Sequence, residues 1–369
     1  KELVGGALSF YAAAAVAKTG GVHIFVAEDR DAAAYLLNDF YNLLDEKQVY
    51  FFPSSYKRPA AYGAEDAQGV VQRTTAMNAV RGFTKGYLVV CTYPEALAER
   101  VVDAATLQRD TIAVKLGDKI SIAVLEDALA DANFTRVDFV YEPGQYSVRG
   151  GIVDVFSYSE SKPYRIDFFG DEVDSIRRFN ISSQLSADKL DRVEIVPNLN
   201  AGEAPRVSFV QFAGSSATCW FYDADYVLRR VNDLRRKVLA DMEEPGQIDR
   251  LLTSRNVLLR DMAGNSVVAL RDNLPERPAT AAVVFDTAPQ PKFNKNFEML
   301  ADDMIRNSLR GYATYILSEN KVQVERLENI FHQIGRGQAA VRSLSVTLHE
   351  GFVDNDLKLC LYTDHQIFD

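Results

Sequence analysis

The sequence predicts an α/β protein whose parallel-sheet body is interrupted by a small inserted α+β domain. Buried-type strands alternate with amphipathic helices in the first and last parts of the chain, whereas closely spaced short strands replace this alternation in the middle. A chain of 369 residues also exceeds what one hydrophobic core normally supports. We therefore expect three segments, 1–113, 114–200 and 201–369, of which the first and third form one body.

The first segment alternates strands with helices. The run "GVHIFVAED" (21–29) is typical of a buried strand, residues 30–44 form an amphipathic helix, and "QVYFFP" (48–53) is the next strand. A further helix covers "DAQGVVQRTTAMNAVRGF", and "GYLVVCTYPEAL" is a strand that enters a helix. Strands that alternate with helices of this length imply a parallel sheet.

The middle segment opens with a strand in "TIAVKLGDKI" and a helix in "ISIAVLEDALADANF". In the following runs "GIVDVF" and "YRIDFF" apolar and polar residues alternate with period two, which predicts strands with one open face. The run "FGDE" indicates a hairpin turn with Gly170 at its tight position. Because Phe168 and Phe169 are adjacent, they lie on opposite faces, so one of them leaves the core of the domain.

The last segment returns to α/β patterning. The runs "ATCWFYDAD" (217–225), "NVLLRD" (256–261) and "TAAVVFD" (280–286) predict strands, and the charged run "DADYVLRRVNDLRRKVLADMEE" between the first two predicts a helix. The tail adds a helix in "ENKVQVERLENIFHQIG" and strand-like runs around "LSVTLHEGF" and "LKLCLYTD". We expect these elements to continue the body that the first segment begins.

Composition narrows the class of protein. A formal net charge of −10 argues against extensive non-specific binding to nucleic acid. The three cysteines Cys91, Cys219 and Cys360 lie in apolar runs, which predicts reduced core thiols and no metal site. No run reaches the length of a membrane span, and no basic cluster precedes the apolar start. We expect a cytoplasmic protein without membrane contact, and the abrupt ends suggest a part of a longer chain.

A glycine-rich run near the start, "VGGALSFYAAAAVAK", has the form of a phosphate-binding loop that opens a helix. A working loop of this kind places a lysine on the terminal phosphates and a serine or threonine on magnesium. Leu8 stands in the lysine position and Ser9 follows it. We therefore predict that Gly5, Gly6, Leu8 and Ser9 form a degenerate nucleotide loop that does not bind ATP. The simpler alternative is a glycine turn before a core helix.

Three other features are weaker candidates. The carboxylates in 167–174 have no histidine or nucleophile beside them, so we predict no catalytic residue there. The helix run "RRVNDLRRK" is typical of a solvated face of mixed charge. The loop "FFPSSYKRPAAYGAED" combines basic and aromatic residues that could contact nucleic acid through their side chains, namely Tyr56, Lys57, Arg58 and Tyr62.

Two arginines stand at the start of the middle segment's strands, which are predicted to have one open face. Arg149 and Arg165, together with Phe169, have the arginine-plus-aromatic composition of interface hot spots. The alternative is that the arginines form local salt bridges to Asp154 or Asp167 while Phe169 lies in the core. The residues alone leave both interpretations open.

The run "YEPGQYSVRGGIVDVFSYSESKPYRIDFFGDEVDSIRRFNISSQLS" closely resembles the UvrB-like module at the N-terminus of the bacterial transcription-repair coupling factors, the Mfd family. The tail "HEGFVDNDLKLCLYTDHQIF" is similar to the end of that module, before the family's domain that contacts RNA polymerase. The resemblance implies a helicase-like body with a degenerate P-loop, made of domain 1a (1–113) and domain 1b (201–369), with domain 2 (114–200) inserted.

The resemblance also implies a function. Domain 2 of the family recruits the excision-repair protein UvrA, and Arg149, Arg165 and Phe169 fall at the positions expected to contact it. The chain would be a non-catalytic module that brings UvrA to stalled transcription complexes. ATP and magnesium would serve only motor domains outside this sequence, so no cofactor is expected here.

The parent protein would then be an ATP-dependent DNA translocase that displaces stalled RNA polymerase. Its other domains would contact the polymerase and DNA, and its C-terminal domain would mask the UvrA surface until it is needed. The alternative is a UvrB-like repair helicase that itself binds ATP and DNA. Saturable nucleotide binding would distinguish that enzyme from a recruitment module.

Overall fold

The computed structural model describes residues 3–56, 65–200, 204–242, 244–271, 274 and 277–368. The strands are β1 Gly21–Val26, β2 Val49–Phe51, β3 Tyr87–Thr92, β4 Val101–Val102, β5 Ile112–Lys115, β6 Thr135–Arg136, β7 Gln145–Arg149, β8 Ile152–Val155, β9 Tyr164–Phe169, β10 Glu172–Phe179, β11 Ser186–Leu190, β12 Arg192–Ile195, β13 Arg206–Val207, β14 Thr218–Phe221, β15 Ser266–Ala269, β16 Thr287–Pro289, β17 Ala313–Leu317, β18 Ser343–Leu344, β19 Phe352–Asp354 and β20 Leu359–Thr363.

The α-helices are α1 Ala7–Thr19, α2 Arg30–Leu43, α3 Ala67–Gly82, α4 Pro94–Ala98, α5 Ala104–Asp110, α6 Ile122–Asp131, α7 Phe209–Ala213, α8 Ala224–Asp241, α9 Ile248–Leu251, α10 Arg255–Asp261, α11 Phe297–Leu309, α12 Lys321–Gln333 and α13 Asp364–Phe368. Among the described residues, none of these helices combines the length and the apolar character that crossing a membrane requires.

The first sheet has five parallel strands in the order β15-β14-β1-β3-β2. Its strands come from both the first and the last segments, because β14 and β15 extend the sheet that β1, β2 and β3 begin. The central strands are buried along nearly their whole length, as the apolar runs predict, and helices pack on both faces. The predicted α/β class with a parallel sheet is confirmed.

The middle of the chain forms a separate six-stranded sheet in the order β11-β10-β9-β8-β7-β6. Helix α6 covers one face of it, with Leu125 and Leu129 packed against Val153 and Ile166 in a core of their own. Strands β5 and β12 pair antiparallel where the chain enters and leaves this unit. Strand β5 begins at Ile112, just before the predicted boundary at residue 114.

The final part of the chain forms a second sheet, which the sequence does not predict. Strands β16 to β20 form a second mixed sheet in the order β16-β19-β20-β17-β18, with a core that includes Phe331 and Tyr362. Helix α1 contacts this sheet, since Phe10 lies 5.7 Å from Phe352 between ring centroids. Residues 218–269 thus extend the first sheet with β14 and β15, whereas residues 287–363 build another one.

Two predicted strands in this region are wrong. Residues 256–261 lie in helix α10, because Ser254 caps the helix by accepting a hydrogen bond from the Val257 amide and Leu258 packs into the main core. The following run Ser266–Ala269 is the true strand. Residues 280–286 form no strand, since β-branched residues without a neighbouring strand do not make one.

Candidate functional site

The open face of the six-stranded sheet carries the residues that the sequence singles out. Ile166 of β9 is buried beneath α6, so the alternation of the strand directs Arg165 and Asp167 to the opposite face. Register places Asp154 of β8 beside Arg165 on that face. The site is therefore built by strand geometry, on regular elements rather than on loops.

Asp154 joins the two predicted arginines. Its side chain is only 2 % exposed and accepts hydrogen bonds from both of them. Arg165 approaches with Nε 2.7 Å from Oδ1 and Nη2 2.8 Å from Oδ2, and Arg149 Nη2 lies 2.5 Å from Oδ2. These bonds to the carboxylate raise the pKa of Arg165. The local ion pairs of the alternative interpretation are thus present.

An aromatic ring packs against each of the same guanidinium groups. The Arg165 guanidinium carbon lies 4.4 Å from the ring centroid of Phe179, and that of Arg149 lies 4.9 Å from the centroid of Phe139. Arg165 also donates to the backbone oxygen of Gln184 at 3.3 Å. Both arginines are therefore fixed in orientation, which lowers the entropy lost when they meet a partner.

Phe169 leaves the core, contrary to the alternative interpretation. It stands at the end of β9 and is 84 % exposed, whereas Phe168 packs against the core of the unit. Gly170 follows with φ +62°, a conformation that glycine adopts without strain in the predicted hairpin turn. An exposed phenylalanine at a hairpin tip, on the same face of β9 as Arg165, is the kind of apolar group that interface hot spots contain.

The structure adds Arg177, whose role the sequence leaves open. It lies opposite Arg165 in the β9–β10 register and pairs with Asp167. Its Nε is buried without a hydrogen-bond partner among the described residues. The neighbouring Arg178 instead pairs with Glu160 at 3.2 Å. Because side chains alternate along a strand, the sequence already implies that Arg177 and Arg178 lie on opposite faces of the sheet.

The segment that forms this face matches a known protein family. Residues 112–200 match the UvrB interaction domain. We refer to residues 112–200 as the UvrB interaction domain, after the family model that they match. The match begins at the first residue of β5 and ends after β12, so the structural unit and the family domain coincide.

Curated relatives extend the similarity beyond the UvrB interaction domain. The transcription-repair-coupling factor of Haemophilus influenzae is 29% identical over 154 residues, which is 42% of this chain and 13% of that protein. Those of Bacillus subtilis and Escherichia coli are each 26% identical over 196 residues, 53% of this chain and 16% and 17% of their own lengths. The chain is therefore homologous to the N-terminal region of these factors over about half its length, and the matched part is less than a fifth of each relative.

Outside the UvrB interaction domain, the predicted nucleotide loop lies at the start of α1. The Gly6 amide donates to the backbone oxygen of Glu350 at 3.0 Å, and Gly5 adopts φ +54°. A Cβ at Gly6 would lie 2.3 Å from that same oxygen. A peptide carbonyl thus occupies an amide of the kind that binds phosphate in a working loop.

Ser9 of the same loop is committed to a carboxylate. Its hydroxyl donates to Asp39 Oδ2 at 2.5 Å, and the His349 amide donates to Asp39 Oδ1 at 2.6 Å. Burial raises the pKa of Asp39 above its ordinary value. With Leu8 in the lysine position, the loop presents acidic groups and a carbonyl to any incoming anion, an arrangement that disfavours phosphate.

The weaker candidates are distributed differently. Lys57, Arg58 and Tyr62 of the predicted nucleic-acid loop lie outside the described residues. On α8, Arg229 pairs with Asp225 at 3.0 Å, as expected of a solvated face of mixed charge. Within the described part of the chain no cluster of three potential metal-ligating side chains occurs.

Proposed function

We propose that this chain is a non-catalytic recruitment module of a transcription-repair coupling factor, and that its UvrB interaction domain docks UvrA. The observation that carries the proposal is one sheet face that bears the exposed Phe169 at the end of β9 and Arg165 about 13 Å back along the same strand. The buried Asp154 orients Arg165 together with Arg149. Planar guanidinium groups suit partner carboxylates, and a buried phenyl ring supplies apolar anchoring.

Phe169→Ala is the most direct test, because its ring contributes little to the fold. Removing a central aromatic anchor costs an interface about 2 kcal/mol or more, so affinity for UvrA measured by calorimetry should fall at least about tenfold. Thermal stability should stay unchanged. Leu309→Ala removes a residue that is 85 % exposed on α11 and should leave affinity as it was. Parent-like affinity of Phe169→Ala would refute docking through this face.

The arginines need a more conservative change, since Arg165→Ala would leave Asp154 with one partner. Arg165→Lys keeps the charge but loses the planar fork, and at a bidentate site this exchange is not neutral. We expect Arg165→Lys and Arg149→Lys each to weaken UvrA binding at least about tenfold. Circular dichroism and thermal unfolding check that the UvrB interaction domain stays folded. Undiminished binding by both folded variants would mean that these arginines serve only Asp154.

We further propose that the body formed by residues 1–113 and 201–369 is a helicase-like fold without an active nucleotide site. Leu8 in the lysine position and the Gly6–Glu350 contact support this assignment. Calorimetric titration with magnesium-ATP should show no saturable heat. Saturable binding would instead favour a UvrB-like enzyme that binds ATP and DNA.

The proposal extends to the parent protein. Its translocase activity, with ATP and magnesium, and its contacts with RNA polymerase and DNA would belong to domains outside this chain. Its C-terminal domain would cover the face around Phe169 until the motor engages polymerase. Addition of that domain in trans should then compete with UvrA, whereas simultaneous binding of both would exclude masking.

A further inference from the structure

A cavity of about 380 Å³ opens at the carboxyl ends of β1 and β14 in the first sheet. The chain leaves these neighbouring strands in opposite directions, because β2 lies beyond β3 on one side and β15 lies on the other. Ligands of open parallel sheets bind at this topological switch point. The volume lies within the range of small-molecule sites, about 300–1,000 Å³.

The inner wall of the cavity is aromatic and apolar. Phe25 and Trp220 line it with rings stacked 4.8 Å apart at an interplanar angle of 20°. The Trp220 indole donates to His23 Nδ1 at 3.1 Å, which fixes the ring. Leu8 and Leu36 complete the wall, so Leu8 supplies apolar surface where a lysine would have supplied charge. A flat apolar ring is the group that such a wall accommodates.

The polar lining is predominantly acidic. Glu28, Asp39 and Glu350 all contribute to it. Among the described residues, the basic side chains of the lining are Arg271 and His349, and both have neighbours. Arg271 donates to the Tyr222 hydroxyl at 2.8 Å and lies 3.8 Å from Glu28, and the His349 ring stacks on Tyr35. Phosphate or carboxylate ligands would meet repulsion here, whereas an ammonium group would be attracted.

We propose that this cavity binds a small aromatic compound that carries a positive charge, with its ring against Phe25 and Trp220 and its ammonium group toward Glu28 and Glu350. A nucleotide site at this edge of the sheet would select a negatively charged ligand, whereas the cavity selects a positively charged one. It is independent of UvrA docking, since none of the lining residues belongs to the UvrB interaction domain.

Three probes that share one phenylethyl skeleton test the proposal: 2-phenylethylamine, 2-phenylethanol and phenylacetate. Trp220 is the sole tryptophan of the chain, so its fluorescence reports occupancy directly. We expect saturable changes with the amine, weaker ones with the alcohol, and at least about a tenfold preference for the amine over the carboxylate. Absence of saturation with every probe, or tightest binding of phenylacetate, would overturn the proposal.

Matched variants localise the binding. Ala32 of α2 lines the cavity and Ala34 of the same helix is exposed, so Ala32→Phe should abolish amine binding while Ala34→Phe retains it. Glu28→Gln should reduce the preference for the amine over the alcohol at least about threefold. Thermal unfolding verifies that each variant is folded. Parent-like amine binding by folded Ala32→Phe would show that the probe binds elsewhere.

Discussion

At the scale of single residues, one carboxylate organises the open face of the UvrB interaction domain. Asp154 is nearly inaccessible, yet both arginines that it binds reach the surface. A buried anion with two oriented cations is stable only while all hydrogen bonds are made. The same contact therefore supports the domain and sets the direction of the two arginines for which we propose contact with UvrA.

Asp154→Asn should consequently be destabilising. The amide keeps the shape but removes the charge between Arg149 and Arg165, and breaking a buried ion pair of this kind should cost about 3–5 kcal/mol. Denaturant unfolding of parent and variant measures the loss. Asp110→Asn, which disrupts an exposed pair with Arg109, is the matched control and should change stability by less than about 1 kcal/mol. Equal effects of the two substitutions would contradict the role given to Asp154.

At the scale of elements, the loop before α1 and helix α2 both contact the segment 348–351. The Gly6 amide, the Asp39 carboxylate and the stacked rings of Tyr35 and His349, 3.7 Å apart, all lie at this contact. A loop whose amides would otherwise serve a ligand thus binds another part of the same chain.

Gly6→Ala tests how close this contact is. The added Cβ would approach the Glu350 oxygen to 2.3 Å, and that atom belongs to the backbone. We expect a loss of about 1–3 kcal/mol in unfolding free energy. Gly82→Ala at the end of α3 meets no atom within 4 Å and should be neutral or slightly stabilising. If Gly6→Ala proved as harmless as this control, the two segments would have to separate in solution.

The buried Asp39 of α2 predicts a pH dependence. Because burial raises its pKa, the folded protein retains this proton to higher pH than the unfolded chain does. Ionisation of Asp39 therefore lowers the free energy of unfolding as pH rises from the ordinary aspartate pKa of about 4 through the raised value. The stability of Asp39→Asn relative to the parent should rise over that window, as melting temperatures at a series of pH values would show. A difference that stays constant or falls would contradict the raised pKa.

The elements also show what sequence patterns can predict. Long apolar runs such as Gly21–Val26 and Tyr87–Thr92 predict their strands, and the alternation of β9 predicts that either Phe168 or Phe169 leaves the core. Short runs do not carry enough signal: residues 256–261 are as apolar as a strand but pack as a helix. The contact between Gly6 and Glu350 joins distant parts of the chain, so no local pattern contains it.

At the scale of the whole molecule, the UvrB interaction domain has its own core, and only its last residues, Val196 and Leu199, pack into the core of the body among the described residues. Polar contacts with the body beyond this exit point are few. Arg81 pairs with Glu194, Thr75 donates to the backbone oxygen of Ser159 at 2.9 Å, and Asn198 donates to Glu65 at 2.9 Å. Contacts as sparse as these are typical of a boundary between independently folding units.

Residues 112–200 alone should therefore fold and dock. We expect cooperative thermal unfolding of this fragment and a UvrA affinity within about threefold of that of the whole chain. The same fragment with Phe169→Ala should lose at least about tenfold in affinity. An unfolded fragment, or a folded one that binds only with the body present, would assign part of the interface to the remaining segments.

The pairing of β5 with β12 bears on how an inserted domain of this kind can be acquired during evolution. Ile112 lies opposite Ile195, so the two crossing points of the chain are about 5 Å apart, the spacing of neighbouring strands. A gap this narrow can be closed by a few residues with little entropic cost. The inserted unit can thus be gained, lost or exchanged between protein scaffolds without rebuilding the sheet on which it is carried.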